Sequence, residues 1–169
     1  MSYIGGIDVE QLVEYIIKPA LGSIVPDRIM SQDAVTLLTG TAAKESIVGK
    51  YVKQINGPAL GIYQIEPNTH QDLWDNYILF RPDLYEPLYE LYPRIKNNID
   101  QDLLIYDNRY STIMARLIYL RVPEILPESR DIIAQAKYWK KYYNTHLGSG
   151  TESGYISVAK RIGLDDGNL

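Results

Sequence analysis

Apolar residues return at intervals of three and four along most of this chain, and that period limits the fold more than any other feature. Val9, Leu12, Val13, Ile16 and Ile17 share one face of a helix over residues 8–21, which closes near Pro19 and Gly22. Ser31 is placed to cap a second helix with Asp33 in its first turn. Its stripe runs Val35, Leu38, Ala42 and then Glu45, at intervals of three, four and three. Pro67 opens a third helix with Leu73, Trp74 and Tyr77 on its apolar side. Prolines at 82, 87 and 93 break residues 82–99 into short helices or tyrosine-rich turns. A helix over 107–122 carries Met114, Leu117, Ile118 and Arg121 on neighbouring rows and belongs at the centre of the core. Another over 129–144 carries Ile132, Ala136, Trp139 and Tyr143, and a last one runs from Thr151 to Gly163. Residues 50–66 depart from this rhythm. Tyr51, Val52 and Ile55, the pair Asn56-Gly57, Pro58, then Ile62, Tyr63 and Ile65 predict short strands around a hairpin. The expected fold is mainly α, one domain over residues 1–169 with a small β-hairpin insert, and no repeat or linker.

Composition removes several functional classes. A chain of 169 residues buries about 70% of the surface its unfolded form exposes, and 46% hydrophobic with 22% charged residues is ordinary for a folded domain. The net charge of −4, without clustered Lys and Arg, gives no footprint for nucleic acid. The absence of cysteine excludes disulfide scaffolds, thiolate nucleophiles and cysteine-bound zinc. With His70 and His146 as the only histidines, a histidine-rich metal site is excluded too, so neither metal nor cofactor is expected. Asp8, Glu10 and Glu14 stand where a secretory signal needs a basic start and an unbroken apolar core. No uncharged apolar run approaches the ~18 residues of a membrane span. The expectation is synthesis in the cytoplasm without a signal peptide, any target outside it being reached by another route.

Glu45 ends an apolar stripe at the negative pole of a helix, and both partial burial and the macrodipole disfavour its ionised form. A neutral carboxylic acid near pH 6 to 7 is the proton donor a glycosidic oxygen needs. The same spacing fits a frayed helix end with a solvated glutamate, neutralised by Lys44 or Lys50. Downstream, "GPALGIYQ" places Gly57 and Gly61 around a short strand, where missing side chains let a polymer approach the backbone. Strict alternation puts Ile62, Gln64 and Glu66 on one face, with Tyr63 and Ile65 on the other. Gln64 can then offer its amide to a cleft.

"ES" at residues 45–46 followed by "GPALGIYQIEP" resembles the first two motifs of the lytic transglycosylase domain, which is related to goose-type lysozyme. "YYNTHLGSGT" at residues 142–151 is similar to that family's third motif at Tyr143 and Asn144, with Thr145-His146 in place of the usual Ala-Gly. "GIYQIEPNTH" and "YWKKYYNT" resemble versions encoded by tailed bacteriophages. The resemblance implies a lysozyme-like fold acting on the β-1,4 bond between N-acetylmuramic acid and N-acetylglucosamine in peptidoglycan. It implies Glu45 as the single catalytic acid/base, Ser46 supporting the substrate or orienting the acid, and Gln64 near the sugar acetamide. Tyr63, Tyr143 and Asn144 would join the substrate-binding residues, although Tyr143 has core spacing in its own right. Glu66 departs from the family strand and is the candidate second carboxylate.

Glycan strands are the implied partner, together with other virion proteins if the chain is carried in a phage particle. Attachment to a larger particle would also offset the handicap of an acidic protein on an anionic wall. Two rivals remain open. One is a muramidase of the same fold, in which Glu66, Asp72 or Asp75 activates water. The other is a catalytically silent wall-binding or virion domain. Tyr85, Tyr89 and Tyr92 suit either sugar rings or packing around the prolines, and His70 is expected on a helix surface.

Overall fold

A computed structural model describes residues 5–24, 30–145 and 148–166. His146 lies outside them. The helical periods of the sequence all produce helices, many opened by a side-chain cap. Asp8 precedes α1 (Val9–Leu12), which continues through a π-turn at Val13–Ile17 into α2 (Lys18–Gly22). Pro19 explains the π-turn: it has no N–H to give, and its ring collides with the carbonyl four residues back. The extra residue moves the chain out of register, and Lys18 N–H reaches back to Val13 O. The helix therefore passes Pro19 and stops at Gly22.

Ser31 Oγ accepts from Ala34 N at 3.1 Å and opens α3 (Gln32–Ser46). This helix is buried on nearly every side from Ala34 to Ala43. Its threonines tolerate that because Thr39 and Thr41 donate to the carbonyls of Val35 and Leu37 at 2.8 and 2.7 Å. The other central element is α7 (Asn108–Leu120), capped by Asp107 and buried from Tyr110 to Tyr119. Thr41 and Tyr119 share a hydroxyl contact of 2.8 Å between the two helices.

Around this pair lie α4 (Pro67–Asn76), α5 (Pro82–Leu91), the short α6 (Leu103–Tyr106), α8 (Ile132–Trp139) and α9 (Glu152–Arg161). Residues 82–99 form α5 and a 3-10 turn at Pro93–Lys96, the short pieces their prolines require. Their tyrosines pack inward. Tyr89 stacks on Trp74 at 6.2 Å, and Tyr92 meets Tyr110 edge-on at 5.1 Å. His70 corrects the surface expectation: it is buried, with Nε2 2.7 Å from the Tyr110 hydroxyl, which also accepts from Trp74 Nε1 at 3.0 Å. Burial pushes the imidazole down to about 4.

The expected β-hairpin is the main correction. Among the described residues there is no strand, only isolated antiparallel bridges at Lys53–Leu60 and Leu60–Ile65. Asn56 does turn the chain, at φ 59°, and Gln54 N donates to Ala59 O at 2.9 Å. Pro58 then withholds a donor, and Gly61 at φ 73° with Gln64 at φ 48° turns the chain again before a ladder can extend. Residues 50–66 are consecutive tight turns.

Candidate active site

A cleft of about 670 Å³ opens between these turns and the segment that follows α8, and the C-terminal end of α3 contributes Lys44 and Glu45 to it. Gln64, Glu66, Tyr143 and Asn144 line the same cleft. Four positions singled out in the sequence thus meet Glu45 in one space.

The Glu45 carboxyl is half-buried in the last turn of α3. Trp139 Nε1 donates to its Oε1 at 2.9 Å. Burial lifts the carboxyl from the ordinary 4.5 to about 7, while the indole N–H and the Lys44 ammonium pull the other way without cancelling it. A substantial protonated fraction at neutral pH follows.

The backbone beyond Glu45 is unusual. Ile47, Val48 and Gly49 all have positive φ, at 55°, 53° and 82°. For β-branched residues this costs on the order of 1–3 kcal/mol each and needs external support. Ile7 N donates to Val48 O at 2.7 Å, Val48 N to Ala42 O at 3.1 Å, and the Val48 side chain is buried. Gly6 at φ 83° makes the approach feasible, since a Cβ there would lie 2.4 Å from the carbonyl oxygens of both Ile47 and Val48. The segment leading into α1 therefore clamps the turn that ends the helix of Glu45.

Ser46 is wholly buried, donating to Ile62 O at 2.6 Å and accepting from Gly49 N at 2.7 Å. Direct contact with substrate is closed to it. Its hydroxyl instead joins the end of α3 to the loop bearing Gln64. The Tyr63 side chain is equally buried, and its carbonyl accepts from the Tyr143 hydroxyl at 2.8 Å. Sugar contact is closed to the Tyr63 ring as well. Burial, followed by the charge of Glu45, pushes the Tyr143 phenol well above its usual range.

Gln64 sits in a turn, where its Nε2 donates to Gly61 O at 2.9 Å, leaving one amide hydrogen and the amide oxygen for other partners. The close approach expected at Gly57 and Gly61 comes from the protein itself. A Cβ on Gly57 would meet Gln54 Oε1 at 2.1 Å, and one on Gly61 would meet Leu104 O at 2.1 Å. Asn144 Oδ1 accepts from Lys140 Nζ at 2.8 Å, and the same ammonium donates to Gly148 O at 2.9 Å, so the Asn144 amide is held by its own turn. Glu66 is exposed at the start of α4.

Trp139 is the site residue that the motifs do not reveal. Its signal lay in its apolar stripe: a buried indole needs an acceptor for its N–H, and Tyr143 one turn later belongs to the same face. Among the described residues no group of acidic and histidine side chains could hold a metal ion, and no helix is long and apolar enough to cross a membrane. No protein-family model, curated protein or solved structure matches the chain, so the residues of this cleft carry the functional reading.

Proposed function

We propose that the chain is a peptidoglycan lytic transglycosylase, cleaving the β-1,4 bond from N-acetylmuramic acid to N-acetylglucosamine with Glu45 as its acid and base. One observation carries this reading: a half-buried carboxyl at about 7, beside an open cleft that also holds Gln64, Tyr143 and Asn144. The Trp139 indole N–H donates to Oε1 of the acid. In the neutral acid the carbonyl oxygen is the better acceptor, which leaves the transferable proton on Oε2.

Glu45 passes that proton to the glycosidic oxygen as the C1–O bond breaks, and the acetamide of the muramic acid stabilises the cation at C1. The Glu45 carboxylate then takes the proton of the C6 hydroxyl, whose oxygen bonds to C1. A 1,6-anhydro sugar leaves, the acid is restored and no water is consumed. The Gln64 amide is suited to hold the acetamide, and entry of the chain into phage infection or host lysis accords with the phage-like motifs.

Hydrolysis is the second reading, and the presence of Glu66 on the same cleft favours it. Asp72 and Asp75 support it less, since each is engaged by a neighbouring side chain. Arg121 donates to Asp72 at 2.7 Å and holds it below the usual carboxylate range, while Gln71 donates to Asp75 at 2.9 Å. Mass spectrometry of purified peptidoglycan after digestion decides between the reactions. Anhydro-muropeptides are expected, and reducing ends would replace the proposal with a muramidase.

A further inference from the structure

The Glu45–Trp139 bond is only as good as the placement of the indole, and the indole is held from α9. Tyr155, wholly buried, packs against Trp139 in a tilted arrangement, with ring centroids 5.4 Å apart and planes 33° apart. Its ring presses against α3 at Gly40, where a Cβ would lie 2.0 Å from the hydroxyl oxygen, and the hydroxyl points to Leu37 O at a long 3.4 Å. Gly150, just before α9, gives up its side chain to the far edge of the same indole, since a Cβ there would meet Trp139 Cη2 at 2.5 Å. A single helix thus touches the middle of α3 through Tyr155 and sets the ring that bonds the end of α3.

We propose that Tyr155 is a positioning residue for the acid: its ring, seated on Gly40, fixes the Trp139 indole so that Nε1 meets Glu45 Oε1. The proposal rests on the transglycosylase reading for the acid's role, but the geometry of the carboxyl is measurable without substrate. The phenol ring carries the effect through contact, and the hydroxyl contributes little because its bond to Leu37 O is long. Removing the ring frees the indole to tilt. The carboxylate then loses the donor that favours it, and protonation of Glu45 persists to higher pH.

The experiment titrates Glu45 by carbon-13 NMR of side-chain carboxyls, with Glu45→Gln identifying the signal, in wild type, Trp139→Phe, Tyr155→Leu and Tyr155→Phe. Loss of one hydrogen bond to a charged group moves the midpoint upward by about one pH unit in Trp139→Phe. Tyr155→Leu is expected to move it in the same direction, and Tyr155→Phe to leave it at the wild-type value. Should Tyr155→Leu fail to fold, Gly40→Ala displaces the same ring and gives the same upward movement. A wild-type midpoint in the folded Tyr155→Leu or Gly40→Ala protein, beside a shifted Trp139→Phe, overturns the proposal. Wild-type protein that shows this titration pattern and leaves peptidoglycan intact removes the transglycosylase reading and leaves the positioning assignment standing.

Discussion

The indole N–H of Trp139 and the carboxyl of Glu45, 94 positions apart in the chain, meet at 2.9 Å. The bond opposes the effect of burial, so the acid is held near 7 and not far above it. Removing either partner has different consequences for activity and stability.

Glu45→Gln is expected to fold and to abolish lysis, since an amide keeps the shape and the Trp139 bond but cannot donate an acidic proton. It should also be the more stable protein at alkaline pH. Below 4.5 the carboxyl is protonated in both the folded and unfolded states and carries no penalty. Between about 4.5 and 7 the folded state keeps a proton the unfolded chain has lost, so stability falls across that window by up to about 3 kcal/mol and levels once pH passes 7. Urea melts at pH 4.5 and pH 8.5 check this: near-equal midpoints at the lower pH and a higher midpoint for the variant at the higher pH are expected.

Activity should fall with a single-proton slope on the alkaline side, centred near pH 7, because the donating form of Glu45 disappears there. Rates on purified peptidoglycan between pH 5 and pH 9 show it. A flat profile across that range contradicts Glu45 as the acid.

Gln64→Gly separates the turn from the amide. Glycine accepts φ 48° without strain, which offsets the lost bond to Gly61 O, so melting should change little while lytic rate drops at least several-fold. Retained rate would assign Gln64 to the turn alone.

Gly6→Ala should destabilise by roughly 2 kcal/mol or more, because its Cβ is driven into two carbonyl oxygens at a left-handed φ. Gly22→Ala is the control, with nothing within 4 Å of the added carbon. Thermal melts of the pair should differ by several degrees.

Glu66→Gln should retain anhydro products and most of its rate, since an intramolecular C6 hydroxyl needs no water-activating base. Collapse of rate, with reducing ends from the wild type, assigns Glu66 as the base of a hydrolase.

The helices were legible because burial of one face imposes a period that no other structure satisfies, and Glu45 was found by being the wrong residue on that period. Apolar alternation over 50–66 reads as strands, yet it also arises when a compact loop buries Ile62, Tyr63 and Ile65. Gly57 and Gly61 looked like openings for a ligand, and the space goes to Gln54 and Leu104, which sequence spacing cannot announce. A histidine in a polar helical turn reads as solvated, whereas His70 is buried. Its partner Tyr110 comes from 40 residues away. Trp139 was legible as core, and its bond to Glu45 depends on how α8 crosses α3.

Tyr143 reaches from the α8 side of the cleft to the carbonyl of Tyr63 on the loop side, at 2.8 Å. A tie across the base of a groove sets its gauge. The two sides then act as a calliper locked at one width, whereas hinged jaws would close on whatever lies between them. On the proposed function, a glycan strand would meet a cleft whose width is already set on this side before it arrives.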